Sequence, residues 1–265
     1  MHLTGDVDEF LARAGDFLRS RPALHTMLLT TVEKLRTCGT DGTTFGWLDG
    51  EAIFYRRPTD RLTVTHLPAE RADVLAGHLA GLGHPLSGVT ADHDTATAFA
   101  EAWQRRTGAT AVPGVRVRLH RLGTLTPPEP VPAGRGRALG DQDRADVIRW
   151  CGEFAAAVGE TVDSWAGSRF ADKHFTFWET DAPVAMAGST SMVAGMVRVD
   201  PVYTPARFRG RGYGGAVTVE VSRAALAAGA TDVVLFTDPA NATSNALYQR
   251  IGYVPIADFT GYDFS

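Results

Sequence analysis

The sequence predicts a mixed α/β protein, with helices packed on mixed α+β sheets and the chain divided into two halves of similar size. Three observations carry that prediction. Apolar residues recur with helical spacing in some segments and alternate in others. Several strands are joined by very short turns, which make antiparallel pairs. Leu122–Gly136 holds four prolines in fifteen residues, which excludes a continuous helix or central strand there. With 265 residues, 44% of them hydrophobic, each half is near domain size and able to bury a core. The expected organisation is an N-terminal mixed α/β domain over 1–121, a Pro/Gly-rich linker over 122–136 and a C-terminal domain over 137–265.

In the first half, Phe10, Leu11, Ala14, Phe17 and Leu18 space a helix over Val7–Ser20, and a second helix is expected over Leu24–Leu35. Strands follow at Thr44–Leu48, Ala52–Arg56 and Leu62–His66, the first two forming a hairpin on the Asp49-Gly50 turn signal. Helices at 68–81 and 93–107 and a strand at Val115–Arg121 complete the half. The second half reads as helices over Asp141–Val158 and Val162–Phe170, then strands over His174–Glu179, Val184–Ser189 and Met192–Thr204. A Gly/Arg loop leads into a helix over Gly215–Ala228, a strand over Asp232–Thr237, a helix over Thr243–Arg250 and a strand over Tyr253–Phe259. Both halves open with two helices and continue into an antiparallel run, an order that hints at internal duplication.

Composition narrows the function. A formal net charge of −4, spread over both halves, excludes a generally basic nucleic-acid binder, so an anion site must be a local cluster. Arg207, Arg209 and Arg211, interleaved with glycine, form one. Two cysteines far apart suit a reducing cytoplasm. The N-terminus lacks a signal-peptide pattern and no run of 18 apolar residues occurs, so neither export nor a membrane partner is expected. The expectation is a cytoplasmic monomer or homodimer with no metal. Asp92-His93-Asp94 looks like a metal or acid/base cluster, but it precedes a helix, where such residues serve as caps. Gly188-Ser189-Thr190-Ser191-Met192 is not a nucleophile elbow. The five tryptophans read as core or domain-interface aromatics.

The informative segment is Val202–Gly215, VYTPARFRGRGYGG, between a strand and a helix. Its glycines permit positive φ and close backbone approach, and the following helix directs N–H groups and a positive dipole end into the loop. With three arginines beside it, the expected ligand is a phosphate; a glycine-rich turn with surface arginines is the plainer alternative. Gly210-x-Gly212-x-x-Gly215 also matches the dinucleotide fingerprint, with Asp238 after the next strand. Against that reading, residues 205–209 separate the strand from the glycines, too little chain follows for a parallel sheet, and the preceding strands are antiparallel. A protein kinase is excluded because only 48 residues follow Val217.

Read as Arg209-x-x-Gly212-x-Gly214, the same loop resembles the acyl-CoA loop of the GCN5-related N-acetyltransferase family. A second signature lies downstream: Asn241-x-x-Ser244-x-x-Leu247-Tyr248, then Ile251-Gly252-Tyr253, is similar to that family's last helix and following strand. The resemblance spans about residues 134–265. It implies an acyl-CoA N-acyltransferase fold, with the N-terminal half as a degenerate second copy, since residues 1–121 contain no Arg-x-x-Gly-x-Gly match. It also implies acetyl-CoA as co-substrate and an amine acceptor as partner.

By that resemblance, the backbone edge of Val202, Tyr203 and Thr204 holds the pantetheine arm. The N–H groups of Arg209, Gly210, Arg211, Gly212, Tyr213, Gly214 and Gly215 hold the pyrophosphate, and Arg207 or Arg211 reaches the remaining phosphate. Tyr248 serves as general acid for the CoA thiolate, Ser244 shares its helix face, and Asn241 both caps the helix and contacts CoA. The general base stays open between Glu179 and Glu153, and His174 reads as structural. Two other functions remain open: a non-catalytic acyl-CoA sensor, and a nicotinamide-dependent oxidoreductase, which NAD(P) would stabilise.

Overall fold

The computed structural model describes residues 1–48, 52–162, 164–165 and 168–265. The chain divides into two compact units. Unit 1 comprises Met1–Leu119, Thr237–Pro239 and Ile256–Ser265; unit 2 comprises His120–Phe236 and Ala240–Pro255.

The first half runs β1 (His2–Thr4), α1 (Val7–Ser20), α2 (Thr26–Cys38), β2 (Thr44–Leu48), β3 (Ala52–Arg56), β4 (Leu62–Val64), α3 (Ala69–Gly81), β5 (Gly88–Asp92), α4 (His93–Thr107) and β6 (Ala111–Leu122). Helix α1 starts where the Asp6 carboxylate accepts the N–H groups of Asp8 and Glu9. Its apolar face then buries Phe10, Ala14 and Leu18, with Phe10 stacked on Phe45 at 4.9 Å. Asp92 caps α4 in the same way, and Gly108, left-handed at φ +76°, ends it. Strands β2 and β3 pair antiparallel from Thr44↔Arg56 to Leu48↔Ala52; the turn expected at Asp49-Gly50 lies outside the described residues. Strands β4 and β5 are parallel, with Leu62 opposite Val89 and Thr63 opposite Thr90.

The second half runs β7 (Arg135–Ala138), a 3-10 turn (Asp141–Asp143), α5 (Arg144–Ala157), β8 (His174–Glu179), β9 (Pro183–Ser189), β10 (Met196–Tyr203), α6 (Tyr213–Ala227), β11 (Asp232–Thr237), α7 (Ala242–Arg250) and β12 (Tyr253–Phe264). Within unit 2 the strand order is β7-β8-β9-β10-β11, followed by β6. Side chains alternate between two faces. Trp178, Ala185, Ala187, Val197 and Val199 pack with α6, whereas Phe175, Phe177 and Met186 pack with Trp150 and Cys151 of α5.

The two halves share the order of three strands, helix, strand, helix and strand after their opening segments, with two helices opening the first half and one the second. Residues His120–Leu122 of β6 belong to unit 2, where β6 neighbours β11. Residues from Ile256 onward in β12 belong to unit 1, where Phe259–Asp263 pair antiparallel with Asp92–Gly88.

Four expectations need correction. No helix spans Val162–Phe170: residues 163, 166 and 167 lie outside the described residues, and the others are turn or irregular. The strand expected from Met192 starts at Met196, because Ala194 (φ +52°) and Gly195 (φ +74°) form a tight turn closed by reciprocal Val193–Met196 backbone bonds. The linker is not wholly irregular, since Arg135 and Gly136 join β7, anchored where Trp178 Nε1 donates to the Ala133 carbonyl at 2.9 Å. Strands β1 and β5 have no counterpart in the sequence reading.

Gly88 shows how tightly β5 and β12 fit, since a Cβ there would lie 2.1 Å from the Tyr262 carbonyl oxygen. Gly88→Ala is expected to cost about 2–3 kcal/mol through forced backbone shift, read as a lower midpoint in thermal unfolding. An unchanged midpoint would refute that fit.

Candidate active site

The site grows from the parting of two strands. The parallel pairing of β10 with β11 runs from Met196↔Asp232 to Arg198↔Val234, yet β10 continues to Tyr203. On its other side β10 stays with β9, but the register jumps from Val199↔Ser189 to Val202↔Ala187, leaving Asp200 and Pro201 as a bulge. Gly188 makes room for it: a Cβ there would lie 2.7 Å from the Asp200 carbonyl oxygen.

After β10 the chain turns through Ala206–Phe208 and reaches α6 by way of Gly210 (φ +76°) and Gly212 (φ +80°), both in the left-handed region where glycine is favoured. No side chain caps α6, and the Ala216 N–H to the Gly212 carbonyl, 3.1 Å, is its opening turn. The N–H groups of Tyr213, Gly214 and Gly215 therefore have no intrahelical acceptor and face outward with the positive end of the helix dipole. A Cβ at Gly214 would lie 3.3 Å from Thr204 Oγ1, so the helix start sits tightly against the strand end. Of the three arginines, Arg209 braces the loop, its Nε donating to the Thr204 carbonyl at 3.0 Å. Arg207 lies over the Phe208 ring at 4.6 Å, and Arg211 is exposed.

Helix α7 brings the second motif to the first. Asn241 Oδ1 accepts the Ser244 N–H at 3.0 Å and caps it, and Leu247 lies beside Gly214 and Gly215. Tyr248 is half-buried, edge-on to Tyr253 at 6.1 Å, and the Tyr253 hydroxyl shares a 2.7 Å hydrogen bond with Ser222. Burial holds the Tyr248 phenol well above the usual tyrosine range, and the fields of Tyr253 and Asp200 act in the same direction. Gly252 is left-handed at φ +102°, and a Cβ there would lie 1.9 Å from the Thr124 carbonyl oxygen. That crossing segment is fixed by the Gly123 N–H to the Gly252 carbonyl, 2.9 Å.

On the α5 face, the Tyr203 hydroxyl donates to Glu153 Oε2 at 2.6 Å. Burial, then the Glu153 carboxylate, raise the Tyr203 phenol. Glu179 is held differently: its Oε2 accepts from Arg137 Nε at 2.8 Å, and the same guanidinium grips both oxygens of Asp143. The structure thus gives Glu179 a structural partner and leaves Glu153 beside the strand end. His174 Nε2 lies 3.2 Å from Ser191 Oγ, a surface contact.

The sequence reading missed one group. Asp200, on the bulge, pairs with Arg169 and with Lys173, whose Nζ is 3.1 Å away on a side chain only 3% exposed. Arg169 also pairs with Glu160. Burial alone would raise the Asp200 carboxyl, but Lys173, Arg169 and Arg198 overcome it and hold the group below the usual carboxylate range. The one sequence signal was Arg198-x-Asp200 within a valine-rich strand.

Two parted parallel strands, a glycine turn onto a bare helix start and a tyrosine-bearing last helix are a recognisable set. Residues 186–260 match the family model of FR47-like protein. Among solved structures, the chain resembles a GCN5-related N-acetyltransferase from Kribbella flavida at 21% identity and TM-score 0.55, covering 82% of this chain and 88% of that one. One from Sphaerobacter thermophilus shows 18% identity and TM-score 0.55, covering 88% and 83%. An acetyltransferase from the GNAT family of Colwellia psychrerythraea shows 10% identity and TM-score 0.59, covering 96% and 97%. The chain has the GCN5-related N-acetyltransferase fold. No curated protein matches it. Within this acetyltransferase fold, the described residues hold no group of three or more His, Cys, Asp or Glu suited to a metal, and no described helix is long and apolar enough to cross a membrane.

The Asp200 cluster yields a stability prediction. Asp200→Asn leaves a buried ammonium without its counter-charge and is expected to cost about 3 kcal/mol or more in chemical denaturation. Because the folded-state pKa is depressed, the carboxylate stabilises the fold above its unfolded value and that contribution fades as pH falls below the ordinary carboxylate range. The variant should therefore lose much of the difference from wild type in acid; a gap that persists there would contradict the assignment.

Proposed function

We propose that unit 2 is an acyl-CoA-dependent N-acetyltransferase centre that moves an acetyl group from acetyl-CoA to a primary amine of a small molecule or peptide. The observation that carries this reading is the uncapped start of α6 behind Gly210 and Gly212, set where β10 leaves β11. A row of backbone N–H groups at a helix start suits a pyrophosphate, and an unpaired strand edge at Val202–Thr204 suits an extended amide chain such as pantetheine. Arg207 and Arg211 are the side chains free to meet a further phosphate, and Asn241 and Ser244 face the same ligand from α7.

In the reaction, the neutral amine attacks the thioester carbonyl, the new C–N bond forms and the C–S bond breaks. Before attack the acceptor ammonium gives its proton to a base, and Glu153 is preferred to Glu179 because Arg137 already occupies the latter. Tyr248 donates a hydrogen bond to the departing thiolate. Its raised pKa keeps the phenol protonated across the working range and favours a retained hydrogen bond over an early proton transfer. Unit 1 shares the run of three strands, helix, strand, helix and strand, but its β4–α3 connection, Thr65–Pro68, has neither glycine nor arginine. We therefore assign CoA binding to unit 2 alone, with unit 1 as a degenerate copy.

Tyr248→Phe is expected to lower kcat by about 100-fold with little change in acetyl-CoA affinity, measured by thiol release against an amine panel and by calorimetry. The same titration should give one acetyl-CoA per chain, and two would overturn the assignment to unit 2. Stabilisation by NAD(P) in place of acetyl-CoA would sink the acetyltransferase reading. Glu153→Gln is expected to lower kcat/KM at least about tenfold, since the acceptor ammonium then lacks the carboxylate that takes its proton. No basic limb should trace to Tyr248 below about pH 10, since burial holds its phenol above the ordinary tyrosine value.

A further inference from the structure

The proline-rich segment after β6 is pinned at three places, and two of them belong to the elements that carry the proposed acetyl-CoA site. Every residue from Gly123 to Gly134 lies in unit 2, and four of the six residues from Pro127 to Pro132 are proline. A proline ring fixes φ and carries no N–H, so such a run stays exposed without unmet donors and has few conformations to lose.

The first pin is at the end of α7. The Gly123 N–H donates to the Gly252 carbonyl at 2.9 Å, and the Thr126 N–H donates to the Ile251 carbonyl at 3.1 Å. Between them the Thr124 carbonyl oxygen fills the space beside Gly252, 1.9 Å from where a Cβ would stand. The crossing segment thus demands a glycine after Ile251 independently of the left-handed φ of +102° there. Leu125, half-buried, packs on the apolar cluster that also receives Tyr213, Leu247 and Tyr248.

The second pin is at the start of α6. Pro132 is half-buried, and its Cγ lies 3.7 Å from where a Cβ on Gly212 would stand, an ordinary van der Waals distance. Gly212 immediately precedes the bare helix start, whereas a Cβ on Gly210 would meet nothing within 4 Å. One flank of the glycine turn is walled and the other is open. The third pin returns the chain to the sheet. Trp178 Nε1 donates to the Ala133 carbonyl at 2.9 Å, and Gly134, left-handed at φ +115°, fits where a Cβ would lie 2.5 Å from the Glu179 carbonyl oxygen.

We propose that Gly123–Gly134 is a positioning strap of the acetyl-CoA site, which sets α7 against the start of α6 and walls one flank of the phosphate cradle with Pro132. The proposal rests on the acetyl-CoA reading of unit 2. Helix α7 carries Tyr248 and α6 carries the N–H groups assigned to the pyrophosphate, so a stiff run between the first two pins holds the two motifs at one separation before ligand arrives. None of the three pins is on the Val202–Thr204 edge. Loosening the strap therefore acts on the diphosphate end of the ligand and spares the pantetheine end.

The test titrates the full chain with two ligands. Acetyl-CoA is followed by calorimetry, and S-acetylpantetheine, which lacks the nucleotide and its phosphates, by broadening of a carbon-13-labelled acetyl signal. The triple variant Pro127→Gly, Pro128→Gly, Pro130→Gly keeps every pin and loses the stiffness between them. It should weaken acetyl-CoA binding at least about tenfold and leave S-acetylpantetheine within about twofold of wild type. Pro132→Gly removes the wall beside Gly212 and should weaken acetyl-CoA in the same selective way. Equal weakening of both ligands, or a lower unfolding midpoint with acetyl-CoA affinity unchanged, would mark a segment that only supports the fold and would overturn the proposal. If the triple variant does not fold, Pro132→Gly decides, and unchanged acetyl-CoA affinity there overturns it. A wild type that binds neither ligand overturns the acetyl-CoA reading and the strap with it. Wild-type binding matched by both variants overturns the strap alone.

Discussion

The separation of β10 from β11 is the constraint on which the proposed chemistry rests. Parallel strands ordinarily share their hydrogen bonds along their whole length, and here they do so only from Met196↔Asp232 to Arg198↔Val234. The bulge at Asp200-Pro201 turns β10 while β9 follows it, which keeps one side of the strand satisfied and frees the other for an incoming chain. Everything else is arranged around that opening. The glycine turn places the bare start of α6 at its mouth, and Leu247 brings α7, and so Tyr248, against the same helix start.

The charges around the opening divide into holding and free groups. Asp200 with Lys173 and Arg169, and Arg137 with Asp143 and Glu179, tie down the strand and its neighbours. Buried pairs of this kind give little net stability over an apolar alternative, but they fix one arrangement by penalising any other. The Glu153–Tyr203 pair lies at the strand end, and Glu153 is partly exposed, so its carboxylate is within reach of an incoming molecule. On the proposed reading a mildly acidic chain holds a polyanionic ligand, because the proposed binding groups are backbone N–H dipoles rather than net charge.

Much of this was legible in the residues. Helix α1 has its cap at Asp6 and a regular apolar face, and both of its ends coincide with expectation. The loop and α7 motifs were readable because glycine at positive φ, an Asn cap and a crowded Gly252 each leave one residue type little choice. The rest depends on partners distant in sequence. Strand β5 contains Gly88, Ala91 and Asp92, has weak strand propensity, and exists because β4 and β12 flank it. Val162–Phe170 has helical spacing, yet Phe170 is spent in the α5 core and Arg169 in the Asp200 cluster, so tertiary contacts override the local pattern. Asp92 read as a cap, which it is; its second oxygen, facing no partner, is visible only in three dimensions.

The placing of β12 in unit 1 has a consequence for how the chain reaches this fold. Unit 1 holds residues 1–119 beside Ile256–Ser265, so β5 keeps an open edge until the far end of the chain has been made. Synthesis from the N-terminus therefore cannot finish the first unit before the second is nearly complete. Its contacts span some of the largest sequence separations available, which slows folding and prolongs the exposure of a strand edge prone to mispairing. The crowded junction at Gly88 and the Arg61–Asp263 ion pair, 2.7 Å between Nε and Oδ1, secure the register once the late strand arrives. A fold built in this way favours a single long-lived product over two halves that mature independently.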